Sequence, residues 1–217
     1  MYGMNFEKEL GGDKTIGDLV PSVGWVPGDE IQIANVNPST GVIGFYTYTY
    51  FEEDPQYINY DDPEGWYDGD GVKVDKTLPL PAGTGFWIYT TVEQSVTIAG
   101  QVIADKAVSY AAAANRFTMI ANAYPAPLNP NTDFAVVSGN FTPGDEIQIA
   151  NVNPSTGVIG FYTYTYFEED PQYINYDDPE GWYDADGVKV NTSVIPLCSG
   201  FWFKAMSDVT FEITSPL

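Results

Sequence analysis

The sequence predicts an all-β fold in which two sandwich-like or barrel-like modules, related by internal duplication, follow one another in tandem. Three observations lead to this prediction. Residues 27–74 recur at 143–190 with 47 identities in 48 positions, so the chain carries an internal repeat. Alternating apolar and polar runs, typical of half-buried strands, occur in both copies. Helix-forming composition is confined to one short segment, 107–115.

The repeat divides the chain. The two copies differ only where Gly69 is replaced by Ala185, whereas the flanking sequences have diverged. A chain of 217 residues has room for two domains of ordinary size. We therefore expect a first β module at 1–99, a bridging segment at 100–115 and a second β module at 116–217.

Each copy begins with a predicted hairpin. In the first copy, the strand 29–36 alternates around Ile31 and Ile33, and a longer β run covers 42–51. The residues between them, 37–41 (NPSTG), are turn formers, so we expect a five-residue connection. An acidic loop at 52–62 and a turn at 68–71 follow. The last strands are expected at 85–89 and 95–99, and at 200–203 and 208–213 in the second module.

The segment 100–115 occurs once for two modules. Its residues 107–115 (AVSYAAAAN) favour either a helix or an extended linker or strand of small residues. Three roles are open: the segment completes the first module, begins the second, or bridges both. Since one module lacks such a segment, we expect that a strand from another subunit completes an edge of the first module.

One stretch resembles a known class of modules. Residues 115–128, NRFTMIANAYPAPL, resemble the N-x-F-N-M-I-G-N-P-Y-P-x-P-L opening of β-rich modules in secreted and surface proteins of bacteria. PGDEIQI at 143–149, GWYD at 181–184 and SGFW at 199–202 look like later landmarks of such modules. The chain departs from the opening at Thr118, Ala121 and Ala123. The resemblance implies extracellular display and carries no catalytic residues.

Composition excludes several classes of function. The chain has no histidine, which rules out catalysis by a Ser-His-Asp or Cys-His set and His-ligated metal sites. Its formal net charge of −22 disfavours nucleic acid and anionic membranes as partners. No apolar run is long enough to insert into a membrane. The single cysteine, Cys198, is expected to be a small buried hydrophobe whose counterpart lies near Ala82.

The preferred functional prediction is self-association. The strand FYTYTYF alternates aromatic and threonine residues, and such flat strands suit pairing or stacking between copies. The tyrosine row of each copy is the predicted repeated contact face: Tyr46, Tyr48, Tyr50, Tyr162, Tyr164 and Tyr166. The tryptophans are expected to anchor the cores: Trp66, Trp87, Trp182 and Trp202.

Glycan binding is the alternative, because two weak identical sites would gain through avidity. Aromatic rings beside acidic side chains are the usual chemistry of a sugar platform. The candidate platform residues are Tyr57, Tyr60, Trp66 and Tyr67, with Tyr173, Tyr176, Trp182 and Tyr183 in the second copy.

Calcium is the one candidate cofactor. The turn DGDG at 68–71 and its counterpart at 184–187 space carboxylates as a hard cation prefers, but an EF-hand pattern is incomplete. The candidate ligands are Asp61, Asp62, Asp68, Asp70, Asp177, Asp178, Asp184 and Asp186. The alternative is a turn in which Asp and Gly make local hydrogen bonds.

The sequence thus predicts a non-enzymatic, extracellular or cell-surface protein, exported with a signal that is absent from this numbering. Its expected role is structural or adhesive, as a subunit of a filament, matrix or surface layer. Copies of itself are the expected partners, and glycans are the alternative. The acidic loops 52–64 and 168–180 are expected to be solvated and to keep the subunits soluble until they assemble.

Overall fold

The computed structural model of the chain describes residues 2–4, 6–7, 13–37, 39–52, 64–102, 107–153, 155–168 and 179–214. Apart from a 3-10 helix at Ile16–Asp18 and the four-residue helix α1 at Pro130–Asp133, the regular elements in these ranges are β-strands. The all-β prediction is therefore confirmed. No helix in the described part is long and apolar enough to cross a membrane.

The N-terminal half, up to Val102, contains the following strands: β1 (Tyr2–Gly3), β2 (Phe6–Glu7), β3 (Lys14–Thr15), β4 (Leu19–Pro21), β5 (Glu30–Val36), β6 (Ile43–Phe51), β7 (Gly65–Tyr67), β8 (Lys73–Val74), β9 (Pro79–Leu80), β10 (Gly85–Tyr89), β11 (Val96–Ile98) and β12 (Gln101–Val102). The C-terminal half, from Ala107, contains β13 (Val108–Ala112), β14 (Arg116–Ala121), β15 (Phe134–Ser138), β16 (Glu146–Val152), β17 (Ile159–Phe167), β18 (Gly181–Tyr183), β19 (Gly200–Ala205) and β20 (Val209–Ile213).

The main sheets of the two halves have matching strand orders. The first runs β1-β10-β5-β6-β7-β8 and the second β14-β19-β16-β17-β18. The central hairpin has the same register in both, with Glu30 opposite Thr49 and Glu146 opposite Thr165. Smaller sheets lie beside them: β11-β4, β12-β2 and β3-β9 in the first half and β13-β20-β15 in the second.

The predicted hairpin is confirmed, with a connection one residue longer than expected. Strand β5 ends at Val36 and β6 begins at Ile43. The side-chain oxygen of Asn37 accepts hydrogen bonds from the backbone N–H groups of Ser39 and Thr40. Gly41 then closes the turn with φ +70°, a conformation that glycine adopts without strain. The identical letters NPSTG thus build the turn by short-range bonds.

Each half has its own apolar core. In the first half, Ile31, Phe86 and Trp66 are buried together, with Tyr50 beside them. In the second half, the larger core includes Trp182, Phe201 and Phe211. Both cores lie between the main sheet and the smaller strands, because alternate residues of each main-sheet strand point to that side.

The bridging segment serves both halves. Strand β12 pairs with β2 in the first half. Strand β13 pairs along its whole length with β20, from Val108 opposite Ile213 to Ala112 opposite Val209. The alternative of a helix at 107–115 is therefore wrong: Val108–Ala112 is a strand, since pairing with β20 buries Ala112 and packs Tyr110 against the second core.

The two halves contact each other directly. The backbone N–H of Ala121 donates to the carbonyl oxygen of Gly83 at 3.0 Å. Ala82, beside Gly83, packs against the second core. Farther along, the ring of Phe45 in β6 meets the ring of Trp202 in β19 edge-on, with 6.3 Å between their centroids. The outer face of the first sheet thus packs on the outer face of the second.

Candidate functional site

The tyrosine row points inward rather than outward. Strand pairing places Tyr48 opposite the buried Ile31, on the core side of the sheet. Tyr50 is consequently buried, as is Tyr166 in the second copy. Tyr48 and Tyr164 are partly buried against the two cores. Only Tyr46 and Tyr162, near the hairpin tips, are exposed, at 54% and 57%. The expected six-tyrosine contact face is therefore corrected: the core uses most of its members.

The opposite face of the same strand is the exposed one. It carries Phe45 and Phe51 in the first copy and Phe161 and Phe167 in the second, each between 41% and 50% exposed. Exposed rows of large apolar side chains on a sheet mark surfaces that bind other proteins or other copies. The alternation read from the sequence is confirmed, and the aromatic surface available for contact is the phenylalanine face.

The tryptophans divide between core and surface. Trp66 and Trp182 are buried in the cores, as expected. Trp87 and Trp202 do not belong to those clusters, because Phe86 and Phe201 take the inward positions and the next residue points outward. Trp202 is only 7% exposed because Phe45 and Phe117 cover it. Trp87 is only half-buried.

The edge strands of the smaller sheets differ between the halves. Strand β20 lies between β13 and β15. Its counterpart β11 pairs with β4, and no other strand of the described ranges pairs with it. An uncovered strand edge presents backbone N–H and C=O groups to an incoming strand. This edge is the second candidate surface for association.

The candidate glycan residues do not form an open platform where the structure describes them. Trp66, Tyr67, Trp182 and Tyr183 are all less than 9% exposed. Burial of the two tryptophans favours their core role over stacking on a sugar. The remaining platform residues, Tyr57, Tyr60, Tyr173 and Tyr176, lie outside the described residues.

A cavity of about 690 Å³ lies beside Trp66 in the first half. Trp25, Tyr50, Glu64 and Lys73 line it. The corresponding place in the second half is filled by the Asn131 side chain. Its Oδ1 accepts from the backbone N–H of Trp182 at 2.8 Å, and its Nδ2 donates to the backbone carbonyl of Val190. In the first half Gly17 stands two residues after Thr15, as Asn131 stands two residues after Asn129. Gly17 has no side chain to take the place of the Asn131 amide, and the described residues leave the space open.

Two tyrosine–glutamate pairs border these places. The Tyr50 hydroxyl donates to Glu64, and the Tyr166 hydroxyl donates to Glu180. Burial raises the pKa of both tyrosines, and the hydrogen bond to the carboxylate raises it further. Both side chains therefore stay protonated and act as fixed donors that tie β6 to β7 and β17 to β18.

The candidate calcium ligands make local bonds in an exposed turn. Asp68 Oδ1 accepts from the N–H groups of Asp70 and Val72, at 3.0 and 2.9 Å. Asp184 makes the same two bonds in the second copy. Among the residues that the structure describes, no group of three or more acids is placed to hold a metal ion. Asp61, Asp62, Asp177 and Asp178, and most of both acidic loops, lie outside the described residues.

Two buried acids were not identified from the sequence. Asp29 and Asp145, in the PGDE motifs, are fully buried. Asp29 accepts four hydrogen bonds, among them those from the Thr91 N–H at 2.7 Å and the Val26 N–H at 2.9 Å. Asp145 accepts from Met206 and Thr142, and burial raises its pKa. The motif thus holds the adjoining loops in place through its aspartate. The available signal was an aspartate directly before a strand at the same place in both copies.

No protein-family model matches the chain, and neither the curated proteins nor the solved structures contain a match to it. The resemblance of 115–128 to bacterial surface modules therefore stays a prediction. The structure gives these landmarks physical roles: β14 pairs with β19, and the PGDE aspartates hold the loops beside them.

Proposed function

We propose that this protein is a non-enzymatic, extracellular structural or adhesive repeat protein whose copies self-assemble by β-strand addition into a surface filament, matrix or layer. The duplicated sequence presents the same strands twice, which suits a subunit that meets its own copies. The observation that carries the proposal is that, among the described strands, β11 pairs with β4 alone, whereas β20 pairs with both β13 and β15.

The strand that covers β20 indicates what would fit on β11. Tyr110 of β13 packs against Phe211 of β20, with 5.9 Å between ring centroids. Ile98 pairs with Leu19 in the first half, and Ile213 pairs with Phe134 at the equivalent place in the second half. Two residues before these isoleucines, Val96 is therefore the counterpart of Phe211. Val96 and Ile98 are only partly buried against the first core. A strand bearing an aromatic side chain would cover them as Tyr110 covers Phe211.

A peptide in trans tests the proposal. Excess peptide 107–115 should occupy the β11 edge, bind one per chain and prevent assembly of the full chain. The matched control is the same peptide with Tyr110→Pro, because proline removes a backbone donor and cannot complete the ladder. Light scattering and electron microscopy over a concentration series, with and without millimolar calcium, would follow assembly.

Filaments that the peptide dissolves and the control peptide does not would support strand addition. Dispersed monomers at every concentration, in either cation condition, would contradict self-assembly. Filaments that ignore the peptide would contradict strand addition at β11 and leave another route of association.

The second candidate function is glycan binding at the cavity beside Trp66. Two tryptophans, Trp25 and Trp66, meet there edge-on at 4.9 Å, and Glu64 and Lys73 supply polar partners for hydroxyl groups. Because Asn131 fills the corresponding place in the second half, this reading has one site per chain rather than two identical ones.

A glycan array would test this second candidate. Trp25→Ala should abolish retention on a neutral polysaccharide without changing the oligomeric mass. Tyr162→Ala, which removes an exposed aromatic ring outside the cavity lining, is the control. Equal retention of wild type and Trp25→Ala would exclude the cavity as the binding site.

A further inference from the structure

We propose that the hairpin β16–β17 of one copy docks on the outer face of the N-terminal half of a second copy, around Trp87 and Tyr89. The hairpin surface is formed by Val158, Ile159 and Phe161, and the acceptor face by Trp87 and Tyr89. This inference rests on the proposed function, because it names the surfaces through which copies associate. The supporting observation is the contact between the two halves of the chain, which does not involve the β11 edge.

The first copy of this hairpin already docks within the chain. The Phe45 ring lies edge-on to Trp202. At the hairpin tip, Gly41 lies against the Arg116 side chain, so that a Cβ on Gly41 would stand 3.1 Å from Arg116 Cγ. Ile43, on the same face as Phe45, is half-buried. This end of the first hairpin is therefore partly covered by β14 and β19.

The second copy has the same sequence, and among the apolar residues of this surface it differs in exposure at Ile159. Ile159 is 50% exposed, whereas Ile43 is half-buried. Phe161 and Phe45 are nearly alike, at 45% and 41%, and Val158 is as exposed as its counterpart in the first copy, at 65%. The difference between Ile43 and Ile159 cannot come from local sequence, since the copies are identical here. It comes from what packs on each hairpin. The first hairpin thus meets the second half through Ile43 and Phe45, and the second hairpin presents the same side chains with Ile159 exposed.

The acceptor also has a second copy, in the N-terminal half. Trp87 is the counterpart of Trp202 in the GFW motif, and each pairs with a glutamine of the neighbouring strand, Gln32 or Gln148. Trp202 is covered, whereas Trp87 is half-buried and Tyr89 is 60% exposed. The start of β10 packs against β14, where a Cβ on Gly85 would stand 2.8 Å from Met119 Cγ, so the exposed part of this face is its far end at Tyr89.

One substitution between the halves makes the free acceptor more apolar. Lys204 follows Trp202 by two residues and forms an ion pair with Glu146 at 3.0 Å. Tyr89 holds the corresponding position after Trp87. Exchange of a paired lysine for an exposed tyrosine adds aromatic surface where an incoming Phe161 would lie. Aromatic side chains of this kind are enriched at protein interfaces.

The contact is heterologous, because it joins two different surfaces of the chain. Each copy that docks its hairpin on a neighbour still offers its own acceptor face, so the contact adds subunits in a line unless the line closes into a ring. Since each copy carries a formal net charge of −22, screening by salt should strengthen the docking.

Complementary variants test this arrangement by sedimentation velocity of the full chain in 0.5 M NaCl. Ile159→Asp with Phe161→Asp blocks the hairpin surface, and Trp87→Ala with Tyr89→Asp blocks the acceptor face. Each double variant alone should need at least ten times the wild-type concentration to associate. Val188→Asp, at a side chain as exposed as the hairpin residues, is the matched control and should assemble as wild type does.

The mixture is the decisive sample. One double variant keeps a free acceptor and the other keeps a free hairpin, so an equimolar mixture should form a dimer of twice the chain mass at concentrations at which each variant alone is monomeric. Variants that unfold could not do this, which separates a blocked surface from a damaged fold. A mixture that remains monomeric overturns the proposal.

Two failures are distinguishable. A wild-type chain that stays monomeric at all concentrations contradicts the proposed self-assembly and the docking with it. A wild-type chain that assembles, while the hairpin-blocked variant assembles equally well, contradicts only the docking at Trp87.

Discussion

Cys198 occupies the place in the C-terminal half that Gly83 occupies in the N-terminal half, and both residues have positive φ angles, +55° and +88°. Each is the third residue of the turn that leads into the GFW strand. We expected Cys198 to be a small buried hydrophobe whose counterpart lies near Ala82, but it is half-buried in this turn. A turn that glycine makes without strain is thus made by a residue with a Cβ.

Replacement of Cys198 by glycine should therefore stabilise the protein. A side chain in the left-handed region costs about 1–2 kcal/mol, part of which the greater freedom of glycine in the unfolded chain offsets. We expect a gain of about 1 kcal/mol in the free energy of unfolding, measured in urea. Cys198→Ala keeps the Cβ and should show no such gain; an equal gain would point to the thiol instead of the backbone.

Gly83→Ala should weaken the contact between the halves. A Cβ at Gly83 would lie 2.5 Å from the Tyr110 hydroxyl oxygen, which donates a hydrogen bond to the Ala121 carbonyl at 2.9 Å. We expect a loss of about 2 kcal/mol from backbone strain and displacement of Tyr110. Gly69→Ala is the matched control, because nothing lies within 4 Å of that position and the second copy already carries Ala185.

Urea unfolding of both glycine variants would check this prediction. The change at Gly69 should stay within about 0.5 kcal/mol of wild type. Equal effects at both positions would mean that Gly83 has no special role between the halves.

Asp29→Ala should destabilise the first half strongly. Its loss would leave the buried N–H groups of Thr91 and Val26 without an acceptor, at a cost of roughly 1–3 kcal/mol for each group left unsatisfied. Asp70→Ala, an exposed acid of the same repeat copy, should change the free energy of unfolding by less than about 0.5 kcal/mol. Thermal and urea unfolding would compare them, and a small effect at Asp29 would exclude the fastening role.

The buried tyrosines should make stability fall at alkaline pH. The pKa of Tyr50 and of Tyr166 is raised above the ordinary value of 10.0, chiefly by burial. A group whose pKa is higher in the folded chain than in the unfolded chain contributes stability that is fully present below pH 10. This stability is lost as the pH rises toward the pKa of the folded state. We expect these tyrosines to ionise only as the chain unfolds, so absorbance at 295 nm and tryptophan fluorescence should change together.

Tyr166→Phe provides the comparison. It removes one tyrosine with a raised pKa and its hydrogen bond to Glu180, so the free energy of unfolding at pH 7 should fall by about 1 kcal/mol. The decrease of this free energy with pH above pH 10 should become shallower. Ionisation of every tyrosine near pH 10 in a folded chain would contradict the prediction.

Short-range features of the fold could be predicted from the sequence. The hairpin, its NPSTG turn and the alternation of FYTYTYF depend on residues a few positions apart, and the structure has all of them. The sequence also showed which tyrosines share one face of the strand. It did not show which face lies inside, because alternation determines only which residues share a face. Pairing of Tyr48 with the buried Ile31 and packing of the smaller strands turn Tyr48 and Tyr50 inward and Phe45 outward.

The repeat makes the limit of sequence reasoning concrete. Identical letters surround Ile43 and Ile159, yet one is half-buried and the other exposed. Identical Trp66 and Trp182 lie beside a cavity in one half and beside the Asn131 amide in the other. The sequence by itself determined the all-β class, the strand periods and the turns, since these follow from local backbone and side-chain preferences. The tertiary structure decided which side chains are buried, where the cavity beside Trp66 lies and how the strand edges pair. Each of these depends on the diverged segments, which pack against the repeat from distant parts of the chain.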